Sequence, residues 1–175
     1  MTTALVVYES MFGATRRAAL AMANGLEPYA TVRVAEVGEA PRTIPDEVGL
    51  LVVGGPTHAF GLSRPQTRTE AATRTSEPLV SPGEGVREWL EALTVHPGLA
   101  GAAFGTRVLR RWAPGSSARA IARRLRHHDV RLLAKPEDLF VGGVDGGLLD
   151  GEVDRAREWA ARLGASLAAS AGAHR

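Results

Sequence analysis

The N-terminal residues pass abruptly from an apolar run to a polar loop and then to a helical pattern. Ala4 to Tyr8 is the apolar run, and Glu9 to Thr15 is a polar loop whose single glycine is Gly13. From Thr15 onward, small and apolar residues recur on one helical face, at Thr15, Ala19, Met22, Ala23 and Leu26. Strand, loop and helix in this order begin an α/β unit, which restricts the chain to a small set of folds.

The loop between this strand and helix has the chemistry of an anion site. Backbone amides at a helix N-terminus favour an anion, and Ser10 and Thr15 add hydroxyl donors. A nucleoside-triphosphate loop requires Gly-Lys-Ser/Thr, but the only lysine of the chain is Lys135. A dinucleotide fingerprint requires GxGxxG, and Gly13 stands alone. The loop therefore favours a singly phosphorylated ligand held by hydroxyls and amides.

Composition limits the class of protein. The chain has 175 residues, of which 45% are hydrophobic and 23% charged, so we expect one globular domain over residues 1–175. No apolar stretch approaches the roughly 18 residues of a membrane span, and no signal peptide precedes the first strand, which predicts a cytoplasmic protein. Cysteine is absent, which excludes disulfides, cysteine nucleophiles and thiolate metal sites. His127 and His128 are adjacent and make a poor metal pair, so no metal site is predicted.

The rest of the chain alternates strands with helices. Further strands are predicted at Thr31–Val37, Gly49–Val53 and Gly101–Val108, with Val130–Ala134 and Leu139–Val141 forming two parts of one strand or a split fifth strand around Pro136. We expect the third strand to end in a sharp turn at Gly54–Thr57. Four further helices are predicted: one capped by Ser63 and ending at about Arg74, one that starts near Gly85, one that follows Ser116 and Ser117, and one from Glu152 to about Ala169. The connection before the third strand is expected to be short or irregular.

This order predicts an α/β fold with a three-layer, doubly wound, five-stranded parallel sheet of flavodoxin-like order 2-1-3-4-5. In that order, ligands bind beyond the carboxyl ends of strands 1 and 3. The unusually long connection over residues 64–84 is interpreted as an elaborated loop over this site.

Three loops carry a resemblance to a known family. Ser10-Met11-Phe12-Gly13-Ala14-Thr15 resembles the T-x-T-G-x-T phosphate loop of flavodoxins, and its S-M-aromatic-G form is similar to that of flavodoxin-like quinone reductases. The stretch Gly54 to Ser63 resembles the flavin-ring loop, often G-x-P-T-x-x-F/W-G, and a third loop begins at Gly105-Thr106-Arg107. The resemblance covers nearly the whole chain, apart from residues 64–84, and implies non-covalent binding of FMN.

The resemblance also implies a set of cofactor-binding residues. These are Ser10, Met11, Phe12, Gly13, Ala14, Thr15, Pro56, Thr57, His58, Phe60, Gly61, Thr106, Arg107 and Trp112. Phe60 and Trp112 are candidates to stack on the flavin ring. The backbone amides of residues 57–61 and 105–107 are candidates to bind the polar edge of the ring. Gly61 is the candidate for a peptide that turns near N5 of the flavin. Phe12 departs from the family pattern because it stands where flavodoxins offer a hydroxyl. No catalytic residue is assigned, although His58 titrates in the range of a proton donor.

Three functions remain open at this point. The first is an FMN-binding electron-transfer protein, the second an FMN-dependent NAD(P)H:quinone-type oxidoreductase, and the third a flavodoxin-like scaffold that no longer binds FMN. Expected partners are a redox protein or a small quinone-like acceptor, with a homodimer as a further option.

Arginines dominate the basic residues, and the pI of about 9.6 differs from the strong acidity of typical flavodoxins. Nucleic-acid binding is not expected, because Ile121 and Leu125 make the arginine-rich helix amphipathic, with its arginines on the solvated face. Arg107 lies at the end of the predicted fourth strand and Arg110 follows it, where a cation beside the flavin would stabilise an anionic hydroquinone.

Overall fold

A computed structural model describes residues 1–110 and 114–172. The strands are β1 (Thr3–Tyr8), β2 (Thr31–Glu36), β3 (Val48–Pro56), β4 (Ala100–Val108), β5 (Arg131–Leu132) and β6 (Glu137–Val141). The helices are α1 (Ala14–Leu26), α2 (Pro65–Ala72), α3 (Val86–Glu91), α4 (Ser117–His127) and α5 (Glu152–Gly172).

The strands form one parallel sheet in the order β2-β1-β3-β4-β5. Alternate residues of the central strands point to opposite faces, so Val6 and Val52 pack under α1 and α5, while Val7 and Val53 pack under α3 and α4. Both faces of β1 and β3 are therefore buried, as their continuous apolar sequences indicate. The α/β doubly wound fold and its strand order are confirmed.

The sheet has six strands in the described residues, one more than the five predicted. β5 pairs with β4 at Ala100 and Gly101, and β6 pairs with β4 from Phe104 to Val108. Pro136 lies in the gap between them and has no amide to donate to a ladder, which explains why the pairing stops and restarts. Of the two interpretations of residues 130–141, the split strand is the correct one.

Two predicted boundaries were wrong. β3 continues through Gly54 and Gly55 to Pro56, because these residues still pair with Phe104, Gly105 and Thr106 of β4. α2 starts at Pro65 and ends at Ala72, and Arg64 rather than Ser63 is the residue before its first turn. The Ser63 hydroxyl is used elsewhere, in a buried contact with Glu9. The connection between β2 and β3 has no helix, as expected.

No helix in the described ranges is long and apolar enough to cross a membrane.

Candidate functional site

A cavity of about 270 Å³ opens at the carboxyl ends of the central strands. It lies where the winding of the sheet reverses between β1 and β3, the position at which doubly wound sheets bind ligands. Residues from four parts of the chain line it: Ser10, Met11, Phe12, Ala14 and Thr15 after β1; Pro56, Thr57, His58 and Ala59 after β3; Thr67, Glu70, Ala71 and Arg74 around α2; and Thr106, Arg107, Val108, Val141, Val144 and Gly146 at β4 and β6.

The loop after β1 presents free donors at one end of the cavity. Gly13 has a φ of 107°, which a side chain would strain, and it turns the chain into α1. Its amide donates to the Ser10 hydroxyl over 3.1 Å. The amides of Ala14, Thr15 and Arg16 begin the helix and have no acceptor in the described part of the chain. This donor set suits a phosphate group.

A buried hydroxyl pair joins the loops after β1 and β4. The Thr15 and Thr106 hydroxyl oxygens lie 2.7 Å apart, and both residues are almost fully buried. One hydroxyl donates to the other, which leaves the second proton for another acceptor. The pair therefore fixes the loop after β1 against the sheet and keeps one donor at the site.

The loop after β3 closes in a tight turn at Ala59 and Phe60. The His58 amide donates to the Gly61 carbonyl over 2.9 Å, and the Gly61 amide donates back over 3.0 Å. Ala59 and Phe60 have positive φ angles of 46° and 65°, so the turn resembles a type I′ turn made without glycine or asparagine. Such angles store strain in residues with a Cβ.

This turn changes which amides can reach a ligand. The amides of Thr57, His58 and Gly61 already donate to protein carbonyls, whereas those of Ala59 and Phe60 have no acceptor among the described residues. Gly61 has an unstrained φ and lies after the turn, with its amide engaged. The backbone amides that remain available to a ligand are therefore those of Ala59 and Phe60, at the strained tip of the turn.

His58 is held beside α2 by a hydrogen bond, in surroundings that favour the neutral ring. Its Nδ1 lies 2.9 Å from the Thr67 hydroxyl, and the tautomer decides which of the two donates. Burial, followed by the charge of Arg68, lowers the pKa of His58 below its ordinary value of 6.5, and Glu70 opposes them. A neutral imidazole at this position serves as a hydrogen-bonding wall of the cavity.

Arg107 lines the cavity with its charge already balanced. One guanidinium nitrogen lies 3.7 Å from the Asp138 carboxylate and donates to the Gly115 carbonyl over 3.1 Å. The guanidinium also lies over the Phe140 ring, 5.9 Å from its centre. Asp138 therefore reduces the field that Arg107 exerts on a ligand in the cavity.

The segment from Leu62 to Gly85 crosses the loop after β1. The amides of Val80 and Ser81 donate to the carbonyls of Met11 and Ser10 over 3.0 and 2.7 Å. The Ser10 amide in turn donates to the Ser81 hydroxyl over 2.9 Å. The residues predicted as an elaborated loop thus form one wall of the cavity through α2.

A buried polar cluster, here called the Glu9 network, holds this segment in place. Glu9 is fully buried and accepts from the Ser63 hydroxyl and from the Val86 amide over 2.5 and 2.7 Å. Arg68 of α2 donates to Ser63 and pairs with Glu88 of α3 over 2.9 Å. Burial raises the pKa of the Glu9 carboxyl, and its hydrogen bonds with Ser63 and Val86 counter this.

Gly85 is required within the Glu9 network. A Cβ on Gly85 would lie 2.5 Å from an Arg68 nitrogen and 2.5 Å from a Glu9 oxygen. The start of α3 can approach the loop after β1 only because this residue has no side chain.

Most residues expected at the site from the sequence line the cavity: Ser10, Met11, Phe12, Ala14, Thr15, Pro56, Thr57, His58, Thr106 and Arg107. Gly13 shapes the loop behind the cavity wall, while Phe60 and Gly61 lie outside the lining, with Phe60 56% exposed. Trp112 lies outside the described residues.

Sequence reasoning did not assign to the site several lining residues from the turn after β3, from α2 and the turn that follows it, from the ends of β4 and β6, and from the loop after β6: Ala59, Thr67, Glu70, Ala71, Arg74, Val108, Val141, Val144 and Gly146. The length of the 64–84 stretch was the one signal that pointed to the residues of α2 and the turn that follows it. In the parts of the chain that the structure describes, no three acidic or histidine side chains are grouped to hold a metal ion.

Among known proteins, similarity to this chain is found in solved structures and not in sequence. No protein-family model matches the chain, and no curated protein is significantly similar to it in sequence. Among solved structures, a flavodoxin from Archaea superposes with a TM-score of 0.64 at 19% identity, covering 95% of this chain and 99% of that one. A Streptococcus pneumonia flavodoxin gives 0.64 at 16% identity, covering 97% and 99%.

This chain also superposes on part of a larger protein. Rubredoxin oxygen:oxidoreductase from Desulfovibrio gigas gives a TM-score of 0.62 at 17% identity, covering 97% of this chain but 37% of that one. At these identities the likeness concerns the fold, and it extends over nearly the whole chain. The chain therefore has the flavodoxin-like fold.

Proposed function

We propose that this protein binds FMN in the cavity and transfers electrons through it. The observation that carries the proposal is that the loops after β1, β3 and β4 meet at one cavity, at the switch point of a flavodoxin-like sheet. Of the three solved structures described above, two are flavodoxins, and their names support the same class of ligand.

The chain's residues suit the two chemically different ends of FMN. The amides of Ala14 to Arg16 and the hydroxyls of Ser10 and Thr15 would hold the phosphate. Pro56, Ala59 and Val108 offer apolar surface for the flavin ring. Bound FMN supplies the redox chemistry, while the protein binds and orients it and excludes water from one side.

The proposal is tested by a pair of glycine substitutions. Gly13 and Gly98 both have positive φ angles, 107° and 81°, and neither would place a Cβ within 4 Å of other atoms. Gly98 precedes β4, at the end of the sheet away from the cavity. Alanine at either position costs about 1–2 kcal/mol of backbone strain, but only Gly13→Ala reshapes the phosphate end.

We expect Gly13→Ala to weaken FMN binding by about tenfold or more and Gly98→Ala to leave it unchanged, as measured by quenching of flavin fluorescence. Equal affinities of the two variants would argue against phosphate binding at Gly13. A wild-type protein that binds no FMN would instead support the scaffold that has lost the cofactor, an option that Phe12 keeps open.

A second candidate function is an FMN-dependent NAD(P)H:quinone-type oxidoreductase. It is favoured by α2, which covers one side of the cavity as a substrate-binding wall would. Anaerobic addition of NADH or NADPH separates the two functions: rapid bleaching of the flavin bands indicates the enzyme, and slow or absent bleaching the carrier. A redox protein or a small quinone-like molecule as acceptor, a cytoplasmic location and a homodimer remain predictions from the sequence, as does the absence of nucleic-acid binding.

A further inference from the structure

Arg74 brings a positive charge to the cavity and forms no ion pair with an acidic group of the described residues, including Glu70, which lines the cavity four residues earlier. Its side chain lines the cavity, and it forms no ion pair or hydrogen bond there. Arg107, the other arginine of the lining, is paired with Asp138. Arg16, which follows the phosphate end, acts on Tyr8 instead. Arg74 is thus the free cation of the lining.

The course of α2 separates Arg74 from the end of the cavity that the loop after β3 forms. Thr67, Glu70 and Ala71 share one face of α2, and Arg74 continues the i, i+3, i+4, i+7 spacing in the turn that follows the end of the helix at Ala72. Thr67 contacts His58 at the end formed by the loop after β3. Seven residues at 1.5 Å each carry the chain roughly 10 Å along the helix axis. Arg74 is therefore well separated from the end of the cavity at which Thr67 contacts His58.

The path of the chain after Arg74 leads to the loop after β1. Shortly after Arg74, Val80 and Ser81 pair with Met11 and Ser10, so the segment leaves α2 on the side of the phosphate loop. Phe12, in that loop, provides no hydroxyl. A guanidinium from α2 would replace the missing donor with a charged one.

We infer that Arg74 binds the phosphate group of FMN, so that the segment from Leu62 to Gly85 supplies a cofactor ligand as well as a wall. This inference rests on the proposed function. An arginine matches phosphate oxygens with two parallel N–H donors, and a charge-assisted hydrogen bond is stronger than a neutral one. The phosphate end would then combine helix amides, two hydroxyls and one cation.

The test compares FMN with riboflavin, which lacks the phosphate, in equilibrium titrations of the apoprotein. We expect Arg74→Ala to weaken FMN binding by about tenfold to a hundredfold, from the loss of a charge-assisted contact, and to change riboflavin binding by less than about twofold. Arg74→Lys keeps the charge and should recover part of the loss. Arg123→Ala, at an exposed position of α4, removes the same charge far from the cavity and should change neither affinity.

The outcomes separate the two claims. If Arg74→Ala binds FMN within twofold of the wild type, or loses FMN and riboflavin equally, the role of Arg74 is overturned while FMN binding stands. If the wild type binds neither flavin, both the proposed function and the role of Arg74 fail. Circular dichroism of each variant confirms that a lost affinity does not reflect a lost fold.

Discussion

Two residues with side chains, Ala59 and Phe60, hold the left-handed backbone angles that glycine and asparagine adopt most easily. Each costs about 1 kcal/mol or more relative to a glycine at the same angle. The strain lies at the tip of the loop after β3, and the amides of these two residues have no acceptor among the described residues. Strained backbone of this kind concentrates at ligand-binding loops, which agrees with the proposed flavin site.

Replacing Ala59 and Phe60 together by Asn and Gly should stabilise the protein. Asn-Gly is the preferred sequence of a type I′ turn, so we expect the free energy of unfolding to rise by about 1 kcal/mol. Urea denaturation followed by circular dichroism measures it. The same double change should weaken FMN binding if Phe60 stacks on the flavin. A loss of stability would show that the turn is not strained.

His58 should make stability depend on pH. Burial lowers the pKa of the folded His58, so the unfolded chain binds the proton more readily. The stability contributed by the neutral ring is present above the ordinary pKa of 6.5 and is lost as pH falls through it toward the folded value. We expect the unfolding free energy to drop between pH 7.5 and 5.5, and to drop less in His58→Asn, as measured by denaturation at both pH values. Equal slopes in the two proteins would contradict the burial of this ring.

At the scale of elements, the Glu9 network joins three parts of the chain that have no strand pairing with one another. Glu9 follows β1, Arg68 lies on α2, and Glu88 lies on α3. Because α2 forms a wall of the cavity, this network determines the shape of the site without lining it.

Removal of Arg68 should therefore loosen α2. Arg68→Ala removes the hydrogen bond to Ser63 and the ion pair with Glu88, and we expect a loss of about 2–4 kcal/mol of stability. Its control is Arg64→Ala, four residues earlier and exposed, which should cost about 0.5 kcal/mol or less. Thermal denaturation compares the two variants. Similar losses would show that the network contributes little to the stability of the fold.

The sequence predicts elements better than it predicts how an insertion packs. The loop between β1 and α1 could be predicted because its glycine, hydroxyls and helix start lie within Ser10–Thr15, and its role in phosphate binding stays a prediction. Ser63 suggested a helix cap, since nothing local shows that its hydroxyl faces Glu9, 54 positions away. The turn at Ala59 and Phe60 could not be predicted from the sequence, because alanine and phenylalanine are not residue types that favour a type I′ turn. Arg74 became visible only once α2 was placed against the cavity.

At the scale of the whole molecule, this chain is basic, with a pI of about 9.6, whereas typical flavodoxins are acidic. The net charge of +2 arises from many arginines, several of them on the exposed face of α4. Long-range charge influences association with partners more than it influences the fold.

FMN binding should stabilise the whole molecule. A ligand that binds only the folded state adds RT ln(1 + [L]/Kd), about 2.7 kcal/mol at a hundredfold excess over Kd. If residues 1–175 form one domain, unfolding should show one transition that moves as a unit to higher temperature when FMN is added. Differential scanning calorimetry measures this, and two transitions, of which one is insensitive to FMN, would contradict a single domain.

The most direct test of the central claim is a crystal structure of the protein with saturating FMN. The account predicts one flavin per chain at the carboxyl ends of β1, β3 and β4, with its phosphate on the amides of Ala14, Thr15 and Arg16. A flavin bound elsewhere, or an empty cavity under saturating conditions, would contradict it.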